Sequence, residues 1–210
     1  DETFIQYMVD TVQGDTRVEH SYIAEAIADG YKRLLYPSLE RETRNTMTEQ
    51  AEEQAIKVFG TNLRNLLLQA PLSGHVIMGL DPGYRTGCKM AIIDREGNVL
   101  DYGAYYLTMS DKQVERAKQE LAKKIRQYGV TLISIGNGTA SYETEQFTSA
   151  MIAEEGLDCH YIITNEAGAS VYSASKLAIE ELPDLDVSIR GAVSIARRVQ
   201  DPLAESVKID

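Results

Sequence analysis

Tryptophan is missing from this sequence, and the residues that build redox or metal centres are sparse, with two cysteines and three histidines in 210 residues. Cys88 and Cys159 can pair only if the fold brings them together, and nothing in their spacing suggests a disulfide framework. Two reduced core thiols in a cytoplasmic protein is the expectation. His20, His75 and His160 show no ligand spacing with a cysteine or with each other, which argues against a zinc site. No apolar run approaches the length that spans a bilayer, and no signal peptide opens the chain. Positive charge is also short, because 21 Lys and Arg stand against 32 Asp and Glu, for a formal net charge of −11. That balance argues against a whole-surface electrostatic grip on nucleic acid, which needs a basic face. It leaves room for a local basic strip, or for a contact bridged by hard cations on carboxylates. The chain opens at Asp1 rather than Met, as an excised piece would, so features absent from it can lie outside it.

What is present reads as a soluble globular chain long enough to bury a core, either one domain with an appendage or two small ones. The first seventy or so residues carry helical periodicity. Val18, Tyr22, Ala26 and Ile27, then Tyr31, Leu34 and Leu35, share one side of a first helix that Pro37 is expected to stop. Ser38 can cap a second, long helix, with Glu40 and Glu42 in its first turn. Its apolar stripe, Leu39, Met47, Ala51, Ala55, Phe59, Leu63, Leu66 and Leu67, is expected to pack in a core. Pro71 ends it, and PLSGH reads as a boundary between a helical lead-in, 1–74, and a second domain, 75–210.

From His75 the pattern changes to short strands. HVIMGLD, CKMAIID and VLDYGAYYL, joined by the turns DPGYRTG and REGN, predict an antiparallel meander. A helix over DKQVERAKQELAKKIRQYG, a buried strand VTLISIG, a helix over YETEQFTSAMIAEEG and a strand CHYIIT follow. VYSASKLAIEEL reads as one helix, DLDVSIRG as a loop or short extended piece, and AVSIARRVQ and DPLAESVKI as further helices. The order β-β-β-α-β-α-β-α predicts an α/β fold, an RNase H-like mixed five-stranded sheet with flanking helices. Ligands in such sheets sit beyond the carboxyl ends of the parallel strands. Those ends carry Asp81, Gly136-Asn137-Gly138 and Asn165-Glu166.

Three carboxylates are candidates for catalysis and for holding Mg²⁺. Asp81 closes an apolar strand ahead of Pro82-Gly83, where turn stabilisation is the plain alternative. Glu166 precedes a small-residue helix start, where complementing the helix dipole is the alternative. Asp201 precedes Pro202, where helix capping is the alternative. Converging on one sheet edge, the three would hold two Mg²⁺ ions and support in-line phosphodiester cleavage. The GNGTAS loop, Gly136 to Gly138 with Asn137 between, suits backbone contact to phosphate, or else is a tight strand-to-helix turn. Gly83 and Arg85 in the first turn are further candidates for nucleic-acid contact. So are Arg197 and Arg198, which with Arg190 and Lys208 form a candidate basic strip; a solvated face is the usual meaning of such charges.

The strings GLDPGYRTGCKMAIID, IGNGTASYETEQF, NEAGASVYSAS and RGAVSIARRVQDPLAESVKID resemble the central motifs of the Tex family of transcription accessory proteins. The approach YKRLLYPSLERETRNTMTEQAEEQAIKVFGTNLRNLLLQAP does too. The resemblance covers most of the chain and implies a YqgF/RNase H-like domain that follows a helical region. Helix-hairpin-helix modules and an RNA-binding OB-fold are implied to follow it. It also implies nucleic acid and the transcription machinery as partners, with the firmest nucleic-acid grip in modules outside this chain. In RuvC- and YqgF-type nucleases, the resemblance puts the first catalytic carboxylate at Asp81 and the last near Asp201. Another acid is expected at the end of the fourth strand, where this chain has Gly136-Asn137-Gly138; Glu166 would have to replace it. Two readings follow, a platform acting in transcription and a Mg²⁺-dependent nuclease or resolvase. A third, an actin-like ATPase suggested by DPGYRTG, needs a second copy of the fold.

Overall fold

A computed structural model of the chain describes residues 2–14 and 21–209. Val18 and His20 lie outside the described residues. The chain divides by packing into two compact units, Asp1–Leu63 and Arg64–Asp210.

The first unit is helical. Helices α1 (Glu2–Gln13) and α2 (Ser21–Gly30) pack on each other, and a π-helical turn over Tyr31–Leu35 runs directly into α3, Tyr36–Leu67. Pro37 therefore does not stop the helix, and Ser38 is not its cap. Proline lacks a donor and its ring collides with the carbonyl four residues back. The widened turn resolves both problems, because the Tyr36 N–H reaches the Tyr31 carbonyl five residues back. Phe4, Tyr31 and Tyr36 form an aromatic cluster, with ring centroids 5.6 and 5.9 Å apart. No residue of α3 is buried, and Met47 and Phe59 are 65% and 66% exposed. The expected core role of its apolar stripe is thus not met by the described residues.

The second unit holds the sheet. Strands β1 (Ile77–Asp81), β2 (Cys88–Ile93), β3 (Val99–Tyr105), β4 (Leu132–Gly136) and β5 (His160–Thr164) lie in the order β3-β2-β1-β4-β5. The β1–β2 and β2–β3 pairs are antiparallel, while β1–β4 and β4–β5 are parallel. This is the RNase H-like arrangement. It sets the carboxyl ends of β1, β4 and β5 side by side.

Side chains alternate across each strand, and the two faces build two cores. Met78, Leu80, Met90, Ile92, Ile133 and Ile135 pack with Leu121, Ile125, Phe147 and Met151 of α4 (Asp111–Tyr128) and α5 (Ser141–Glu155). On the other face, Ile77, Ala91, Ile93 and Leu132 pack with Ala192, Val193, Ala196 and Val199 of α8, Val187–Gln200. Helix α8 comes this close because β1 offers Gly79, where an added Cβ would overlap the Ala192 carbonyl oxygen and sit 2.9 Å from the Ala196 Cβ.

Two expectations change here. The stretch read as one helix is α6 (Ala169–Ser173) and α7 (Lys176–Glu181), because Ser175 leaves helical geometry and caps α7 by accepting from the Ala178 N–H. Only the first three residues of DLDVSIRG are loop, since Asp186 caps α8 by accepting from the Ser188 N–H and the rest of the stretch, from Val187, is helix. Asp201 caps the last helix, α9 (Pro202–Ser206), by accepting from the Ala204 N–H at 3.0 Å. Among the described residues no helix is long and apolar enough to cross a membrane.

Candidate functional site

Strand alternation decides what faces the cleft. Ile77 and Gly79 point toward α8, so Asp81 does too, at the strand's carboxyl end. Lys89 is the cross-strand partner of Asp81 and shares its face. Gly191 of α8 lies opposite, where a Cβ would stand 3.0 Å from Asp81 Oδ2.

Glu166 reaches this place from the loop after β5. Its carboxylate lies over the end of β4, in the space that side chains at 136 and 138 would fill. Both positions must therefore be glycine for Glu166 to sit there. Asn137 ties the two loops together, since its N–H donates to the Thr164 carbonyl at 3.0 Å and its Oδ1 accepts from the Glu166 N–H at 3.1 Å. Glu166 Oε2 is buried with no hydrogen-bond partner.

The two acids feel each other. The Asp81 carboxyl is pushed up to about 6, first by burial and then by the nearby Glu166 charge, while Lys89 pulls it back. Cys88, next to Lys89 in the strand, is fully buried, and burial pushes its thiol far above the usual range. A thiol held protonated is a poor nucleophile and a poor ligand.

Gly83 and Arg85 lie in the β1–β2 turn, which Tyr84 anchors to α5 by donating its hydroxyl to Glu143 Oε1 at 2.7 Å. Arg85 is exposed. The loop from Gly136 to Ala140 ends in strain, because Ala140 adopts a left-handed φ of 65° at the start of α5.

The structure does not bring Asp201 to this cleft. Ten positions of α8 separate it from Gly191, which at helical rise is about 15 Å. Its neighbour Gln200 donates to the carbonyls of Asp94 and Arg95 in the β2–β3 turn, at the opposite end of the sheet.

Nor do the arginines form an exposed strip. Arg198 is 2% exposed and donates to the carbonyls of Asn165 and Ala167 at 2.8 and 2.6 Å, so it braces the loop that carries Glu166. Arg197 donates to the Gly97 carbonyl at 3.0 Å and pairs with Glu181. Arg190 is buried and donates to the carbonyls of Leu182 and Ser173. Lys208 is paired with Glu181 and Glu205. Each guanidinium meets backbone acceptors, although Nε and Nη2 of Arg198 are buried without a hydrogen-bond partner and only its Nη1 donates.

The profile of the Tex protein YqgF-like domain matches residues 75–200. The chain belongs to the Tex family. It is 52% identical over 188 residues to the Bacillus subtilis protein YdcI, covering 90% of this chain and 26% of that protein. It is 47% identical over 194 residues to the transcriptional accessory protein Tex of Neisseria gonorrhoeae, covering 91% of this chain and 25% of that protein. Human S1 RNA-binding domain-containing protein 1 is 45% identical over 188 residues, which are 88% of this chain and 19% of that protein. The chain thus spans about a quarter or less of the length of these relatives. Among solved structures, T. thermophilus RuvC in complex with Holliday junction substrate aligns with a TM-score of 0.45 at 13% identity, covering 63% of this chain and 96% of that chain.

An RNase H-like carboxylate site raises the question of Mg²⁺. The residues of this Tex-family domain do not fit a two-metal centre. Such a centre holds ions about 3.5–4 Å apart and needs crowded acidic ligands. Here two carboxylates lie near enough for one charge to act on the other, α8 offers Gly191 opposite Asp81, and among the described residues no group of three His, Cys, Asp or Glu side chains is arranged to hold a metal. Sequence reasoning does not single out Lys89, Asp186 or Gly191. The available signal was strand alternation in CKMAIID, which sets Lys89 on the face of Ala91 and Ile93.

Proposed function

We propose that this Tex-family domain is a non-cleaving platform in a cytoplasmic transcription accessory protein, one that positions neighbouring nucleic-acid-binding modules. The observation that carries this reading is the divided acid set. Asp81 and Glu166 meet at the carboxyl ends of the strands, while Asp201 caps α9 at the other end of α8 and Gly191 stands where a third acid would face Asp81. The names of the relatives support a role in transcription and near RNA. In this reading the rim of the cleft contacts a nucleic-acid backbone through Gly83, Arg85 and the loop Gly136-Asn137-Gly138. Exposed Arg85 and Asn137 supply the polar contacts.

The test is incubation of the intact polypeptide with Mg²⁺ or Mn²⁺ and branched or single-stranded DNA and RNA. No cleavage is expected. Cleavage that disappears in Asp81→Asn would replace this reading with the Mg²⁺-dependent nuclease, using Asp81 and Glu166.

A further inference from the structure

We infer that the Lys89 ammonium is the built-in counterion of the Asp81 cleft and occupies the electrostatic role that a divalent cation would otherwise fill. This rests on the non-cleaving reading above and gives its physical cause.

Three observations meet at Lys89. Register places it directly across from Asp81, on the face that turns toward α8. Its Nζ is not left to swing, because it donates to the carbonyls of Thr86 and Gly87, the latter at 3.1 Å. An ammonium has three donors, so these two bonds leave one for an acid or for water. Finally, its charge reaches two acids on different elements, Asp81 on β1, which burial and Glu166 nonetheless hold above its ordinary value, and Asp186 at the start of α8, which Ser188 chiefly lowers.

Glu166 is answered separately. Arg198 stands behind it, close enough for the Glu166 charge to act on the guanidinium, while bonding the flanking carbonyls of Asn165 and Ala167. Each acid of the cleft therefore lies in the field of a cation supplied by the chain itself, without a direct ion pair to it. Hard cations bind by the number and net charge of their oxygen ligands. A cation entering here gains two carboxylates but meets Lys89 at the same place, so like charge opposes it.

The plain alternative is that Lys89 only ties down the 86–87 turn. Lys89→Gln separates the two, because the amide keeps N–H donors for the Thr86 and Gly87 carbonyls and loses the charge. Mn²⁺ would be titrated into the intact polypeptide at pH 8, with free Mn²⁺ read by electron paramagnetic resonance. Wild type, Lys89→Gln, Lys89→Met and the double variant Lys89→Gln/Asp81→Asn are compared. Lys89→Gln is expected to bind Mn²⁺ about tenfold more tightly than wild type, with the gain lost in the double variant. Equal affinity in wild type and in both single variants, or a gain that survives Asp81→Asn, overturns the inference. Wild-type cleavage of nucleic acid would defeat the platform reading instead, and the Mn²⁺ comparison would still decide the role of Lys89.

Discussion

Replacing Asp81 with Asn should make the protein more stable at neutral pH and leave it unchanged in acid. The carboxyl titrates near 6 in the fold against an ordinary value of 3.8, because burial and Glu166 both disfavour its charge. An acid with a raised folded value contributes stability fully below about 3.8 and loses it as pH climbs through about 6. Above that point the native state carries the whole penalty. Each tenfold change in proton affinity is worth about 1.36 kcal/mol, so the penalty is at most about 3 kcal/mol. Partial solvent access around Asp81 lowers this to roughly 2 kcal/mol. Asn has the same shape and no charge, so it removes the penalty. Groups titrating elsewhere are common to both proteins and cancel in the difference. Cys88 and Cys159 are both buried in the sheet unit and are the sole cysteines of the chain, so pulse labelling of thiols across urea reports that unit's unfolding. The stability difference should be near zero at pH 4, rise between pH 4 and 6.5, and level off by pH 7.5. A difference that is flat with pH, or a variant less stable than wild type at pH 8, would refute the argument.

Gly79→Ala should cost about 3 kcal/mol or more, because the new methyl meets the Ala192 carbonyl and the Ala196 backbone nitrogen, at 3.0 Å for the latter, rather than a movable side chain. Thermal unfolding followed by the same thiols measures it, and a loss below 1 kcal/mol would mean that α8 does not rest on β1 as described. Arg198→Met should cost about 3 kcal/mol, because it unties the buried carbonyls of Asn165 and Ala167 and removes a positive charge whose field reaches Glu166 and Glu205. Hydrogen exchange should show the amides of 165–168 losing protection first, and unchanged protection there would remove Arg198 from its bracing role.

Much of this fold could be read from residue order. Strands β1, β2 and β4 are apolar runs closed by turn chemistry, and their burial on both faces explains why those runs are nearly continuous. Two boundaries were less legible. Proline ends a helix when the preceding turn is α-helical, and a π-turn before Pro37 changes that condition. Pro183 and the two aspartates of the DLDVSIRG stretch after it look like loop chemistry, yet Asp186 uses the same chemistry to start α8. Neither choice can be made locally. What buries α8 from Ile189 onward is the sheet, through a glycine more than a hundred residues earlier in the chain.

The site was legible to the extent that strand ends define it. Asp81 closes β1 and Glu166 follows β5, and a parallel sheet must bring those ends together. Asp201 and the arginines follow a different logic. Aspartate before Pro202 satisfies free helix N–H groups as well as it could bind metal, and arginine satisfies free carbonyls as well as it could bind phosphate. Residue type alone does not choose between these uses; the free backbone groups nearby do. Asn165, Ala167, Gly97, Leu182 and Ser173 each present a carbonyl that needs a donor, and Arg198, Arg197 and Arg190 answer them. Charge in this domain is thus spent inside the chain. A cleft whose acids are answered by Lys89 and Arg198 does not need an external cation to hold its shape. Under the platform reading proposed above, that is the physical condition under which the sheet keeps this cleft without a bound metal.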